Sequence, residues 1–522
     1  MPVNTTHAEY DGALLAWLRA RDVIAGEDAV KSAGERYLPR LEAQTDEEYS
    51  AYRARAAFFN ATARTADGYL GLIFRRPPFV KVPGVGTTKH TKDTKAGEAT
   101  PSPWPSPPRG RGNARSVLER AMAQFVNDAD MLGTSLANYA RYVVREVIAV
   151  GRAGTLVDWE SESENRVYAS LYAAENILNW RTERIGGRNL LTMLALAEKA
   201  ELLEEDGDGA GEQIRVLRLV PEKSQSLVTS SPTARGWRCE VEIWRPKKER
   251  GRRGAKEWEL VETRIPLRLG KPLPLIPFVF HGPNNAMPEV DKLPLGDVIA
   301  VNLDHYRLHA DYRHGMHFTA LPTAWVSGFD KAATLRIGSS TAWVTDTPGA
   351  SAGFLEYTGQ GLTTFERAMD RDEKLMAILG ARLLETQKRV GETAEAIELK
   401  QSGENSILGS LAMSVSVSMT LVMRWAYWWN STEEWPTEAG MELVRLELNT
   451  DFSTKGLSAQ EITAVVQAWQ SGALSRDSMM ELFRRGEVLP EGRTNEEEAA
   501  MVKKGGAQAA QAITNNAAVA GN

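Results

Sequence analysis

The chain has 522 residues, one cysteine and a formal charge of -6, with 43% hydrophobic and 25% charged residues. This length suggests roughly two to four domains of ordinary globular composition, and the lone Cys239 excludes an intrachain disulfide framework or a multi-cysteine metal cluster and fits a reducing compartment. The mild negative charge excludes a protein that coats nucleic acid with a large basic surface, while allowing a channel through which nucleic acid slides.

The N-terminus lacks a basic segment followed by an apolar core, so no secretory signal is expected. Gly12 to Asp22 is amphipathic, and Asp46 to about Arg75 reads as one longer helix. Pro83 to Asn113, with its proline run Pro101 to Pro108, reads as a mobile surface loop. Helices are expected at Ala114–Asp128 and Ser135–Val150. A β-rich region follows, with strands at Thr155–Trp159, Val167–Tyr172, Ile177–Trp180, Leu190–Ala197, Ile214–Val220, Trp237–Trp244 and Trp258–Ile265. Two of its turns are charged: acidic Glu204–Gly211 and basic Arg245–Lys256, the latter read as a solvated hairpin tip.

From Pro294 the pattern becomes helical again, with proline where a first turn tolerates it. Val298, Val301, Leu308 and Tyr312 mark an apolar face, and Asn302, Asp304, Arg307, Asp311 and Arg313 an opposite polar one. Leu321–Gly328 and Thr341–Thr345 are β-branched and aromatic, so short strands are expected there. Leu362, Phe365, Met369, Met376 and Leu379 carry a second helix to about Leu384. After Gly391 a helix runs from Glu392 to about Trp429, with Gly403 and Gly409 as kink points. Leu443–Asn449 alternates and is expected to return as a strand to the earlier sheet. Helices follow at Ser458–Gln470, with Ser458 and Glu461 as a capping box, at Ser475–Arg485 and near Asn495–Lys503. The tail, 505–522, is expected to be disordered. The fold class is α+β.

Candidates for chemistry are few. His305, His309, His314 and His317 fall within one helix, and His305 and His309 have the i,i+4 spacing that lets two imidazoles share a metal. A metalloprotease helix requires glutamate after the first histidine, and Tyr306 stands there. These histidines therefore read as helix-facing or interface groups, and a metal-dependent enzyme is the alternative. Gly84–Gly86 and Gly359–Gly361 lack the Gly-Lys-Ser/Thr ending of a phosphate loop. Gly349-Ala-Ser-Ala-Gly353 matches a nucleophile elbow at Ser351, but no histidine follows it in the chain, so it reads as a glycine-rich turn. Glu366, Asp370, Asp372 and Glu373 lie beside Arg367, Arg371 and Lys374 and read as solvated or inter-subunit ion pairs. Trp425, Trp428 and Trp429 read as packing anchors. Ser406–Met423 is uncharged but serine-rich, which favours a buried helix over a membrane span. No catalytic residue, metal or cofactor is expected.

Helix, β-rich insert, helix, then a long helix, preceded by an α/β region and followed by a small helical end, resembles the phage portal protein family, the head–tail connectors. His7–Tyr10, Trp17, Arg21-Asp22, Tyr37–Leu41, Glu48-Tyr49, Tyr52–Arg55 and Gly71–Pro78 resemble a branch of it common in short-tailed phages. The resemblance spans about residues 5 to 500. It implies a wing over 1–293 with the return strand 443–449, a first stem helix at 294–318, a clip at 319–360 and a second stem helix at 361–384. It further implies a tunnel loop and long helix at 385–442 and a crown at 455–504.

Such a protein forms a dodecameric ring around double-stranded DNA at one capsid vertex. Its expected partners are the terminase large subunit, a head–tail adaptor and the major capsid or scaffolding protein, in the virion and, during assembly, in the host cytoplasm. On this mapping Lys388 and Arg389 are the tunnel-loop candidates for transient DNA contact, Asp304 and Asp311 the channel-facing stem candidates, and Trp325, Phe329, Lys331, Arg336 and Trp343 the clip candidates for adaptor or terminase binding. Another virion structural protein or a pore is the remaining alternative.

Overall fold

The N-terminal helices are α1 (Ala8–Ala25), α2 (Glu27–Ser32), α3 (Asp46–Arg55) and α4 (Ala61–Ile73), followed by strand β1 (Phe79–Lys81) and helices α5 (Ala114–Asn127) and α6 (Leu136–Val150). The strands of the middle region are β2 (Ala153–Glu160), β3 (Arg166–Ala173), β4 (Ile177–Ile185), β5 (Arg188–Ala200), β6 (Gly211–Pro221), β7 (Trp237–Pro246), β8 (Trp258–Arg264), β9 (Leu267–Arg268), β10 (Lys271–Pro272) and β11 (Phe278–His281). Then come α7 (Gly296–Ala320), β12 (Thr323–Ser327), β13 (Ser351–Leu355), α8 (Leu362–Ala381), α9 (Ala394–Asn430), β14 (Arg445–Glu447), α10 (Ala459–Gln470) and α11 (Arg476–Arg485).

The structure, a computed structural model, describes residues 2–83, 114–161, 163–200, 211–221, 236–247, 257–320, 323–329, 343–355, 361–381, 394–432, 443–450, 452, 459–485, 488–489, 495, 498–499 and 501–502. The proline-rich loop from 84, the acidic turn 204–210, the basic turn from 248, Lys331, Arg336, Gly359, the turn holding Lys388 and Arg389, Ser458 and the tail lie outside the described residues. The chain divides into two units: residues 1–71, 140–156 and 170–418 form the first, and 72–139, 157–169 and 419–522 the second.

In the first unit, β4 to β8 form an antiparallel meander in sequence order. β7 alternates as a half-buried strand requires, and Ala195, Ile214 and Val216 form a buried cluster, with Met193, Leu178, Trp244 and Trp258 packed on it. β11 pairs with β2, from Phe278 opposite Leu156 to His281 opposite Ala153. Gly154 is required there, because a Cβ would lie 2.1 Å from the Phe278 ring.

The single helix expected from Asp46 to Arg75 is two helices. A Thr45–Glu48 capping box opens α3, and Asn60 starts α4 by accepting the Ala63 N–H at 3.0 Å. Between them the backbone finds its partners on α7: the Ala57 N–H donates to His309 Nδ1 at 3.0 Å, and Phe59 O accepts from Asn302 Nδ2 at 2.7 Å. Backbone groups that leave a helix need other partners, and α7 supplies them to the exposed Ala57 N–H and the part-buried Phe59 carbonyl.

Ser418 of α9 meets the β sheet through His281. The Ser418 hydroxyl donates to Val415 O at 3.0 Å, so it accepts from His281 Nδ1 at 2.7 Å, leaving Nε2 to accept from the Thr155 hydroxyl at 2.7 Å. Burial holds this imidazole neutral, with its pKa lowered to about 3. The helix α9 is continuous through Gly403 and Gly409. Ile407–Asn430 is long and apolar enough to cross a membrane, yet 56% of its apolar window is buried inside the protein.

In the second unit, β14 does not return to the meander: it pairs antiparallel with β1, Val80 opposite Leu446. Val444, Leu446 and Leu448 are buried, and Thr420 Oγ1 pins the strand by donating to Leu446 O at 3.1 Å and accepting its N–H at 3.0 Å. Trp425, Trp428 and Trp429 are all less than 10% exposed and stack edge to edge or tilted at 5.5 and 5.9 Å. Trp429 Nε1 donates to Val157 O at 3.2 Å. They are core residues, with no face free for a base.

Candidate functional site

The stretch that follows Pro294 builds an antiparallel helical hairpin with a β tip. At about 1.5 Å per residue, the 25 residues of α7 reach roughly 37 Å and the 37 of α9 roughly 55 Å. α7 and α8 pack side by side. The Tyr312 hydroxyl donates to Glu366 at 2.7 Å and His305 Nε2 lies 3.4 Å from Glu373 Oε1. Seven residues along α7 thus match seven along α8 in reverse, as in two helices packed antiparallel. Gly315 continues this register, since a Cβ there would lie 2.9 Å from Leu362. At the far end Gly380 approaches Thr65 of α4, where a Cβ would meet Oγ1 at 2.8 Å.

The polar face expected on α7 is only partly exposed. Leu295, Val298, Ile299, Asn302, Leu303, His305, Tyr306 and Ala310 are buried, whereas Val301 and Leu308 are half-buried. Asn302 belongs to the interior, where Thr62 donates to its Oδ1 from the hydroxyl at 2.8 Å and from the backbone at 3.2 Å. Asp304 stays exposed, with Arg307 at 4.0 Å. Asp311 is half-buried and accepts the Tyr52 hydroxyl at 2.5 Å; burial, then this bond, raises the Tyr52 pKa. Burial and the nearby Asp304 raise the Asp372 pKa across the seam.

The four histidines do not converge. His305 and His309 stack with ring centres 6.4 Å apart, but His309 Nδ1 is taken by Ala57, and burial, then Arg313, lower its pKa. His314 packs edge-on against Tyr52, and His317 Nε2 lies 3.2 Å from Arg55. Among the described residues no group of three or more histidine, cysteine or acidic side chains is placed to hold a metal. His309 meets the helix break at 56–60, His305 faces Glu373, and His314 and His317 meet Tyr52 and Arg55 of α3, partners that no motif in the sequence signals.

At the tip, β12 and β13 form a two-stranded antiparallel ladder, Thr323 opposite Leu355 through Ser327 opposite Ser351. The partner of β12 is therefore not Thr341–Thr345, of which the described residues 343–345 are not strand. Trp325 pairs with Gly353, and a Cβ on that glycine would lie 3.0 Å from the indole Nε1. The missing side chain gives the indole its place, so register is set by Gly353. Ser351 lies in strand β13, just after a turn in which Gly349 takes φ 84°. Trp325 is 45% and Phe354 53% exposed, and Trp343 lies 6.4 Å from Phe354. Phe329 is half-buried just beyond Gly328, where the chain turns at φ 79°. Lone two-stranded ladders are marginal in water, and large exposed aromatics mark contact surfaces.

The module from α7 to the end of α9 coincides with the match to a family model. Residues 294–430 match the model described as a domain of unknown function, DUF4055. No curated protein matches the chain. Among solved structures, the chain is similar to one from the neck of an empty GTA particle computed with C6 symmetry, at 11% identity and a TM-score of 0.34, covering 88% of this chain and 98% of that one. It is also similar to a chain from the neck of a native GTA particle computed with C12 symmetry, at 11% identity and a TM-score of 0.30, covering 71% of this chain and 88% of that one.

Proposed function

We propose that this chain is a subunit of a ring-shaped portal, the channel at one vertex of a phage-like capsid through which double-stranded DNA enters during packaging and later leaves. The observation that carries the reading is the order and geometry of one module: a long antiparallel hairpin, α7 and α8, tipped by a β ladder with exposed aromatics and followed by the 37-residue helix α9. Two long helices packed side by side make a strut, suited to a wall. An overall charge of -6 suits a channel whose cargo must not stick, because every phosphate firmly neutralised slows movement.

On this reading α7 and α8 are the stem, β12–β13 the clip, and α9 the tunnel helix; the meander belongs to the wing and α10 and α11 to the crown. Asp304 repels DNA phosphates from the stem, and the Tyr52 bond leaves Asp311 the weaker candidate. Lys388 and Arg389 touch DNA in transit. Trp325, Phe329 and Trp343, with Lys331 and Arg336, receive the terminase or the adaptor. The protein acts without catalysis. Electron microscopy of the purified full chain tests this directly: rings of about twelve subunits with a central hole are expected, and a persistent monomer or a closed particle without a hole refutes it. Alanine at both Lys388 and Arg389 should change DNA packaging or retention while leaving rings intact.

A further inference from the structure

Between β11 and α7 the chain runs through 282–295, an irregular stretch that carries Pro283, Pro288 and Pro294. Two side chains from elsewhere hold its middle. Arg152 Nη1 donates to Pro288 O and, at 3.2 Å, to Glu289 O, and the next N–H, that of Val290, donates to Glu9 Oε2 at 2.8 Å. Arg152 is 2% exposed, with its guanidinium 4.2 Å from the Trp180 ring centre and 4.9 Å from that of Phe280. Its Nε and Nη2 are buried without a hydrogen-bond partner. Burial lowers its pKa to about 10, against the pull of the Glu9, Glu289 and Asp291 carboxylates. A sealed charge with idle donors costs the fold, and an apolar side chain of similar size is often as stable or more so. What this arginine supplies is a fixed course for 288–290, and with it the start of α7.

Glu9 lies in the first turn of α1, which His7 caps by accepting the Glu9 N–H at 3.3 Å. His7 is in turn seated on β4: its N–H donates to Leu178 O at 2.9 Å, and its ring stacks 4.0 Å from Trp180, the ring that also carries Arg152. Asn179 Nδ2 donates to Thr5 O at 2.8 Å. The segment is only partly packed. Pro2, Asn4, Ala8 and Glu9 are exposed, and a cavity of about 830 Å³ is lined by Val3, Thr5 and His7 from this segment and by Trp180, Met193 and Val216 from the meander.

We propose that residues 2–9 act as a latch on the joint between the meander and the α7–α8 hairpin. Seated on β4, they keep Glu9 against Val290 and near Arg152, and the hairpin keeps one direction from the meander. Lifted, they take away the Val290 bond and a carboxylate that offsets the Arg152 charge, and 282–295 becomes a loop hinge on which the hairpin turns as a body. The latch belongs to the single subunit and goes beyond the portal reading, which stands or falls without it.

Hydrogen exchange of the full chain, read by mass spectrometry, tests it. Deleting residues 2–6 removes the Thr5 bond and the Val3 packing while leaving His7, Glu9 and Arg152 in the chain. Amide exchange in peptides covering 289–302 should then rise about 10-fold, the value of one lost hydrogen bond to a charged group. Glu9→Ala should give the same local rise. Exchange in β5–β7 and α9, and the urea midpoint, should stay at wild-type values, because the altered side chains are exposed or half-buried. Unchanged exchange at 289–302 in either variant, or a rise spread evenly over the chain with a matching fall in the midpoint, overturns the latch and leaves the portal reading untouched.

Discussion

Replacing His281 by glutamine should flatten the acid side of the stability profile. In the folded chain the imidazole is sealed between Thr155 and Ser418 and has a pKa near 3; an unfolded histidine titrates near 6.5. The folded pKa is the lower one, so between these values the unfolded chain binds more protons and stability falls as pH falls. This contribution is fully present above about pH 6.5, is lost progressively below it, and stops changing below about pH 3. Linkage over that window gives about 2 kcal/mol less stability at pH 5 than at pH 7.5 from this one group. Glutamine carries no titrating proton, and its amide can give one bond and take the other, at a cost of about 1–3 kcal/mol at neutral pH for imperfect geometry. Urea unfolding followed by tryptophan fluorescence at pH 7.5 and 5 measures both. The reasoning fails if wild type and His281→Gln lose equal stability over this interval.

Three further outcomes follow from the packing of the hairpin. Asn302→Leu should cost about 2–4 kcal/mol, because Phe59 O and the Thr62 N–H and hydroxyl would lose their buried partner; the same unfolding assay reads it, and a change below 1 kcal/mol would contradict the assigned network. Gly380→Val should destabilise by about 1–3 kcal/mol through overpacking against Thr65, with part of the loss recovered by Thr65→Ala in a double-mutant cycle. Trp325→Ala combined with Phe354→Ala should leave stability within about 1 kcal/mol, since both rings are about half exposed. If the proposed portal function holds, the same double variant should abolish pull-down of terminase or adaptor by assembled rings, and retained binding would remove the β tip from the proposed docking surface.

Much of the scaffold could be read from local pattern. The strands of the meander lie close to where their β-branched and aromatic runs place them, and α7, α8 and α9 close to where their apolar repeats do. The helix break at 56–60 was invisible, because Ala, Arg and Phe favour no break and the groups that allow it, His309 and Asn302, stand some 240 residues away along the chain. The partner of β14 was equally hidden: Leu443–Asn449 shows which of its faces is buried but not against which strand, and β1 is only three residues long. His281 carried no motif at all, since two hydroxyls from distant elements make its site.

By itself, then, the chain's periodicity determined most of the helices and strands and their order, because side-chain burial repeats at 3.6 or 2 residues whatever the partner, but not the break at 56–60 or the non-strand course of 343–345. Only tertiary structure decided which polar groups on α7 are interior, which strand completes each ladder, and that the four histidines serve packing separately. Those outcomes depend on donors and acceptors brought together from distant positions, and a buried polar group is placed by the partner that satisfies it.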